Sequence, residues 1–279
     1  MRRLTPRVTV TLIGDTFREA VVCWVFWGLF GLSTALILFL LFLMRIDVVE
    51  GARATISLFG QSTGKAIEVA KLVRGAHSTV AAFLYMMGMF LAVFASATLM
   101  PAALERGRVE VLLSKPVRRR HLLLARYGAN WLVVALNTCY LIVGVWLIIG
   151  WKTGVWYPSF LWAIPTTLLM FAVLLAVVAL VAVLSESAAL VTMITFALMV
   201  VSPILAQHRL MMKLLSSEWS RLLWKGFYQA LPKFYDVGRI NMDLVMGRAV
   251  ASWAPLWTSA AFGAVVLAAA LWWFQRKDF

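Results

Sequence analysis

The chain has 279 residues, 63% of them hydrophobic and 14% charged, with a mean hydropathy of +0.89. A soluble domain is about half apolar and about a quarter charged, so a single water-soluble globule is excluded and a bilayer must solvate part of the surface. The net charge of +14 does not mark a nucleic-acid partner, because Lys and Arg border apolar runs, where they meet anionic lipid head groups.

In chain order the pattern predicts an all-α, polytopic membrane protein that forms one domain over 1–279. Residues 1–19 are amphipathic, with Val8, Val10, Leu12, Ile13 and Phe17 set among Arg7, Asp15 and Arg18. They are expected to form an elbow helix along the membrane surface. The apolar run after them is as long as a span and no small-residue cleavage motif comes after it, so it does not read as a signal peptide. Six runs are long enough to cross about 30 Å of hydrocarbon as helices, near 20–44, 79–100, 128–150, 160–184, 188–206 and 254–274. Ser185-Glu186-Ser187 makes the turn between the fourth and fifth, since a carboxylate is costly in lipid and serines cap helices. Cys23 and Cys139 lie inside apolar runs and read as small packing residues.

Six spans place both termini on one side. Lys and Arg divide about evenly between the two faces, so their number alone does not orient the chain. Their density does. The short loop 101–127 holds Arg106, Arg108, Lys115, Arg118, Arg119, Arg120 and Arg126, whereas the opposite face dilutes its charges over the long loops 45–78 and 207–253, and long loops obey the positive-inside rule poorly. The expected orientation has both termini and the 101–127 loop in the cytoplasm. Within 207–253, Leu210, Met211, Leu214, Leu215, Trp219, Leu222, Leu223 and Phe227 recur at helical spacing. They predict an interfacial or shallow re-entrant helix that ends near Leu231-Pro232.

Three features imitate chemistry without supporting it. Gly60 to Ala66 resembles a phosphate-binding loop, but it is one residue short, lacks the Ser or Thr after Lys65 and comes after no parallel-sheet strand. His77, His121 and His208 are too far apart to hold a metal and read as interfacial polar residues. Met86, Met87 and Met89 crowd one span as gap fillers rather than as a copper path. No metal and no cofactor is therefore expected.

The loop after the second span carries more information. Glu105 to Arg120 is strongly charged, yet holds the apolar cluster Val109, Val111, Leu112 and Leu113. A simple connector needs no such cluster. A short helix from Glu105 to Leu113 would offer these side chains to a groove on a protein partner. Pro116 would end it, and Gly107 permits a close approach. Arg118, Arg119 and Arg120 would pair with acidic groups of that partner or with head groups. In the third span Asn130 and Asn137 are seven apart and share a face, as interhelical hydrogen-bond formers or as the lining of a route.

The run Glu105, Gly107, Glu110, Leu112, Leu113, Ser114, Pro116, Val117 and Arg119, with Arg126-Tyr127 after it, resembles the coupling segment of ABC-2 type transporter permeases. Thr16-Phe17-Arg18-Glu19-Ala20 resembles the end of that family's elbow helix, with Val22 departing from the basic residue usual there. Leu231-Pro232-Lys233-Phe234 is similar to its turn before the last span, and Phe274 to Phe279 to its basic C-terminus. The resemblance implies a permease subunit, as a homodimer or heterodimer, of an exporter in the cytoplasmic membrane. Glu105, Gly107, Glu110, Leu112, Leu113, Ser114, Pro116, Val117, Arg118 and Arg119 would dock a separate ABC ATPase subunit. ATP would be bound and hydrolysed there, and this chain would not be an enzyme. The spans agree in one respect: they hold almost no ionisable residue, so no proton or ion path is evident to supply energy. A membrane scaffold or channel is the alternative, but it has no reason to present a charged helix with an apolar knob. An intramembrane enzyme would need a nucleophile and base, or clustered metal ligands, within the spans.

Overall fold

The computed structural model describes residues 24–49, 53–58, 61–62, 67–103, 119–207 and 218–276. The expected elbow at 1–19 lies outside the described residues. The fold is an all-α membrane bundle, as the apolar periodicity predicts, with a small sheet added in the first long loop.

Helix α1 (Trp24–Leu38) continues into a π-helical turn, Phe39–Leu43. Strands β1 (Met44–Val49), β2 (Arg53–Leu58), β3 (Gln61–Ser62) and β4 (Ile67–Glu68) come next. β1 pairs antiparallel with β2, and β3 and β4 lie along the other edge of β2. Gln61 and Ser62, within the stretch that imitates a phosphate loop, therefore belong to an antiparallel edge.

The second crossing is α2 (Val69–Phe83) and α3 (Met89–Ala103), joined through a π-helical turn at Leu84–Gly88. It begins ten residues ahead of the run near 79–100, because Lys71, Arg74 and His77 lower the hydropathy without ending the helix. Helix α4 (Arg119–Thr153) is 35 residues long, or about 52 Å, well beyond the hydrocarbon thickness of about 30 Å. It absorbs Arg120, His121 and Arg126 into its first turns. Both extensions have one cause: a helix crosses the head groups, where basic side chains are solvated, while hydropathy marks only its apolar middle.

A short 3₁₀ turn, Pro158–Trp162, leads into α5 (Ala163–Ser185), and α6 (Ala188–Ala206) begins after two residues. Glu186 closes α5 in the left-handed region, φ 53°, and its N–H donates to Ala182 O at 3.0 Å. The turn thus sits where Ser185-Glu186-Ser187 predicts it. Helices α7 (Glu218–Ala230) and α8 (Phe234–Val245) fill the loop before α9 (Ala254–Arg276). Among the described residues, five helical segments are long and apolar enough to cross a membrane: 73–101, 120–153, 158–185, 188–206 and 254–276. The helix around Trp27–Phe42 is apolar too but shorter.

Helix α5 is the hub. Of its most apolar window 72% is buried, against 22–50% for the other four. Phe171, Leu174, Val178 and Ala182 are fully enclosed. Gly263 of α9 lets that helix close on α5: a Cβ there would lie 3.1 Å from Val173 Cα. Small residues permit this approach where no hydrophobic effect drives helices together. The outward faces expose Phe42, Phe94, Met193, Trp257 and Val265, which suits lipid.

The π-helical turn at the end of α1 is tied down by α4. Lys152 Nζ donates to Leu40 O at 2.8 Å and to Leu41 O at 2.6 Å. These carbonyls belong to the last turn, where no intrahelical N–H remains for them. Replacing Lys152 by Met should lower stability by about 2 kcal/mol, the scale of a charge-assisted hydrogen bond. Thermal unfolding of the purified chain in detergent would read this as a lower midpoint, with Lys152→Arg recovering most of the loss. An unchanged midpoint in Lys152→Met would count against the tie.

Helices α7 and α8 form a hairpin whose tip, Leu231-Pro232-Lys233, enters the bundle. Lys233 N–H donates to Ser259 Oγ of α9 at 3.0 Å, and Tyr235 N–H to Ser202 Oγ of α6 at 3.0 Å. Tyr85 O–H donates to Phe234 O at 2.7 Å, and the two rings stack at 4.8 Å. Ser202 and Ser259 stand four to five residues inside the ends of their helices, so the tip lies about 6–8 Å below those ends. Two serines from two spans thus supply acceptors for the N-terminal N–H groups of α8, one of them buried away from solvent. Replacing Ser259 by Ala strands the buried Lys233 N–H and should cost about 1–3 kcal/mol. Ser259→Thr keeps the acceptor and should cost less. Equal unfolding midpoints for Ser259→Ala and the parent would contradict this capping.

Candidate functional site

One end of the bundle carries the loop between α3 and α4. The described residues stop at Ala103 and resume at Arg119. Glu105, Gly107, Glu110, Leu112, Leu113, Ser114, Pro116, Val117 and Arg118 therefore lie outside the described residues, and Arg119 opens α4. The first turns of α4 are firmly anchored. Leu122 and Leu123 are buried. Tyr127 O–H donates to Ala172 O at 2.8 Å, and Trp131 Nε1–H donates to Leu168 O at 3.1 Å. Both acceptors are backbone carbonyls of α5, so the first third of α4 cannot slide along the hub without losing hydrogen bonds.

The two asparagines of α4 part company. Asn130 is buried with its Nδ2 4.0 Å from Met100 Sδ, facing the last turn of α3. Asn137 lines a cavity of about 290 Å³ between α1, the α2–α3 segment, α4 and α5. Seven residues keep two side chains near one face but not against one neighbour, because these helices cross and separate. Asn137 Oδ1 and Thr167 Oγ1 both border this cavity, are buried and have no hydrogen-bond partner among the described residues. Ser33 and Thr138 are the other buried polar residues of its wall. The π-helical turn at Leu84–Gly88 supplies Leu84, Met87 and Gly88 to the same wall, and such turns widen a helix at functional sites.

At the opposite end of the bundle, the hairpin tip gathers ionisable side chains that span-by-span reading omits. Lys233 Nζ sits over the Tyr228 ring at 4.5 Å, and Tyr228 O–H donates to Asp236 Oδ2 at 2.8 Å. Burial lowers the Lys233 ammonium pKa and the Asp236 carboxylate opposes that shift. Burial, aided by the bond to Asp236, pushes the Tyr228 hydroxyl up to about 12. Further along the hairpin, Thr166 O–H of α5 donates to Asn241 Oδ1 at 2.7 Å, with Asn241 fully enclosed. The Leu-Pro-Lys-Phe signature is the sequence signal for this region. It marks a turn but not its insertion between spans.

His77, expected as an interfacial polar residue, is instead fully buried, with its ring 4.5 Å from that of Phe160. The face of α2 that carries Val73 and His77 is covered by the 3₁₀ turn and α8, while Lys71 and Arg74 on its other face stay exposed. His121 is partly exposed near the start of α4, and His208 lies outside the described residues.

No curated protein matches the chain. A family model described as ABC-2 family transporter protein matches residues 11–279, which takes in every described helix, the α3–α4 loop and the hairpin. The coupling-segment resemblance, the apolar bundle and this match agree along nearly the whole length: the chain belongs to the ABC-2 family of transporter proteins, as a membrane-embedded permease component of an ABC transporter.

Proposed function

We propose that the chain is the membrane subunit of an ATP-driven exporter, and that residues 105–119 form the plug for a separate ATPase subunit on the cytoplasmic face. Both termini would lie on that face, in the cytoplasmic membrane, and two permease chains would assemble with two ATPases. ATP would be held by the ATPase subunits, leaving this chain without catalytic groups or cofactor of its own. The substrate would leave on the side of the α7–α8 hairpin.

The observation that carries this reading is the attachment of α4 to α5. The loop ends where α4 begins, and within its first third α4 is bonded through Tyr127 and Trp131 to the most buried helix. Displacement of the loop by an ATPase would reach the hub directly. Within two turns of those bonds on the same helix, Thr166 holds the hairpin through Asn241. A push on the inner face would thus reach the outer one through a single helix. Packed elements with discrete arrangements transmit motion in this way.

The apolar residues of the loop are expected to be the anchors of the docking. Leu113→Asp should weaken association with the ATPase by tenfold or more, the scale of a buried interface hot spot of about 2 kcal/mol. Glu110→Lys should leave the spans folded and separate ATP turnover from transport. Co-purification of the ATPase with the full chain, and its loss on deleting Val109–Pro116, is the decisive comparison. Undiminished association of the deleted chain would overturn the docking role.

A further inference from the structure

The cavity between α1, the α2–α3 segment, α4 and α5 is unexplained by docking or by the hairpin. We infer that it binds an uncharged, single-chain amphiphile, its hydroxyl on Asn137 and Thr167 and its hydrocarbon tail along the π-helical turn of the second crossing. The inference goes beyond the exporter reading and holds with or without an ATPase partner.

Size selects the ligand first. About 290 Å³ is close to the lower limit of small-molecule pockets, roughly 300–1,000 Å³, and about twice the roughly 150 Å³ apolar cavity that accepts benzene. One short chain fits; a two-chain lipid or a polysaccharide does not. Charge selects next. Among the described residues no Asp, Glu, Lys, Arg or His lines the cavity, so an ionised head group would be buried without a counter-charge. Hydrogen bonding selects the head. Thr167 is only 4% exposed, and its Oγ1 and Asn137 Oδ1 are both without a partner among the described residues. A carbonyl oxygen needs a donor, and a hydroxyl can both donate and accept. A ligand hydroxyl satisfies both at once, donating to Asn137 Oδ1 and accepting from the Thr167 O–H.

Access comes from the bilayer. Leu32, Phe83 and Met87 line the cavity and are 54%, 55% and 51% exposed, so its mouth lies on the outward face between α1 and the α2–α3 segment. An apolar chain reaches it without crossing water. Gly88 keeps the wall of this turn free of a side chain, since a Cβ would come within 2.8 Å of Leu84 Cδ1 and force that leucine to move.

The test uses the full chain in lipid nanodiscs with decan-1-ol bearing a terminal diazirine, photolysed and mapped by mass spectrometry. Label should concentrate on the cavity wall, and decan-1-ol should compete at least tenfold better than decane. Asn137→Leu and Thr167→Val should each weaken competition by decan-1-ol roughly five- to tenfold, the loss of one neutral hydrogen bond, with decane unaffected. Leu32→Trp, on the exposed mouth, should remove the label while the unfolding midpoint stays unchanged. Label spread evenly over lipid-facing residues, or equal competition by decane, would overturn the site. So would oxidative cross-linking of two copies through Leu32→Cys, which would place a second chain across the mouth.

Discussion

A peptide group that leaves a helix inside a bilayer finds no water to bond, and each such group costs several kcal/mol if left alone. At two breaks among the described residues the missing partner arrives from a distant segment. The π-helical turn after α1 offers Leu40 and Leu41 carbonyls to Lys152, more than a hundred residues on. The hairpin tip offers Lys233 and Tyr235 N–H groups to Ser259 and Ser202, and the Phe234 carbonyl to Tyr85. These bonds dictate which crossings are neighbours. Dispersion and small-residue packing then fill the space between them.

The same constraint gives α5 its central place. The first third of α4 is bonded to its Leu168 and Ala172 carbonyls, and the hairpin to its Thr166 hydroxyl. The three attachments fall within two turns of one helix. An element held so tightly moves as a body or not at all, which suits a machine that must relay a force between faces. The periphery is built differently. Helices α6 and α9 show only 28% and 22% of their apolar windows buried, and their outward faces are free to meet lipid or another subunit.

The sequence made the crossings legible because burial in lipid needs only a sufficient run of apolar side chains. In the loop before α4 the apolar cluster among charges, which a plain connector has no use for, is what marks residues 105–119 as the proposed docking segment. The sequence did not disclose helix α8. Asp236, Gly238, Arg239 and Asp243 break the apolar pattern there, and the helix is held by one buried face, Phe234, Val237, Ile240, Asn241 and Val245. Only its packing between other helices makes that face sufficient. Asn137 and Asn130 were visible as a pair, but their separate surroundings depend on how α4 crosses its neighbours. Thr167 carried no signal, since a threonine in an apolar run ordinarily bonds back to its own helix.

The account stands on the two faces being distinct: the loop before α4 on the side of cellular ATP, the α8–α9 connection on the other. In a chain lacking Cys23 and Cys139, single cysteines in place of Ser114 and of the exposed Ala249 can be probed in intact cells with a membrane-impermeant maleimide. The account predicts that the cysteine at 249 reacts at once and the one at 114 only after the membrane is permeabilised. Prompt reaction at 114 in intact cells would contradict it.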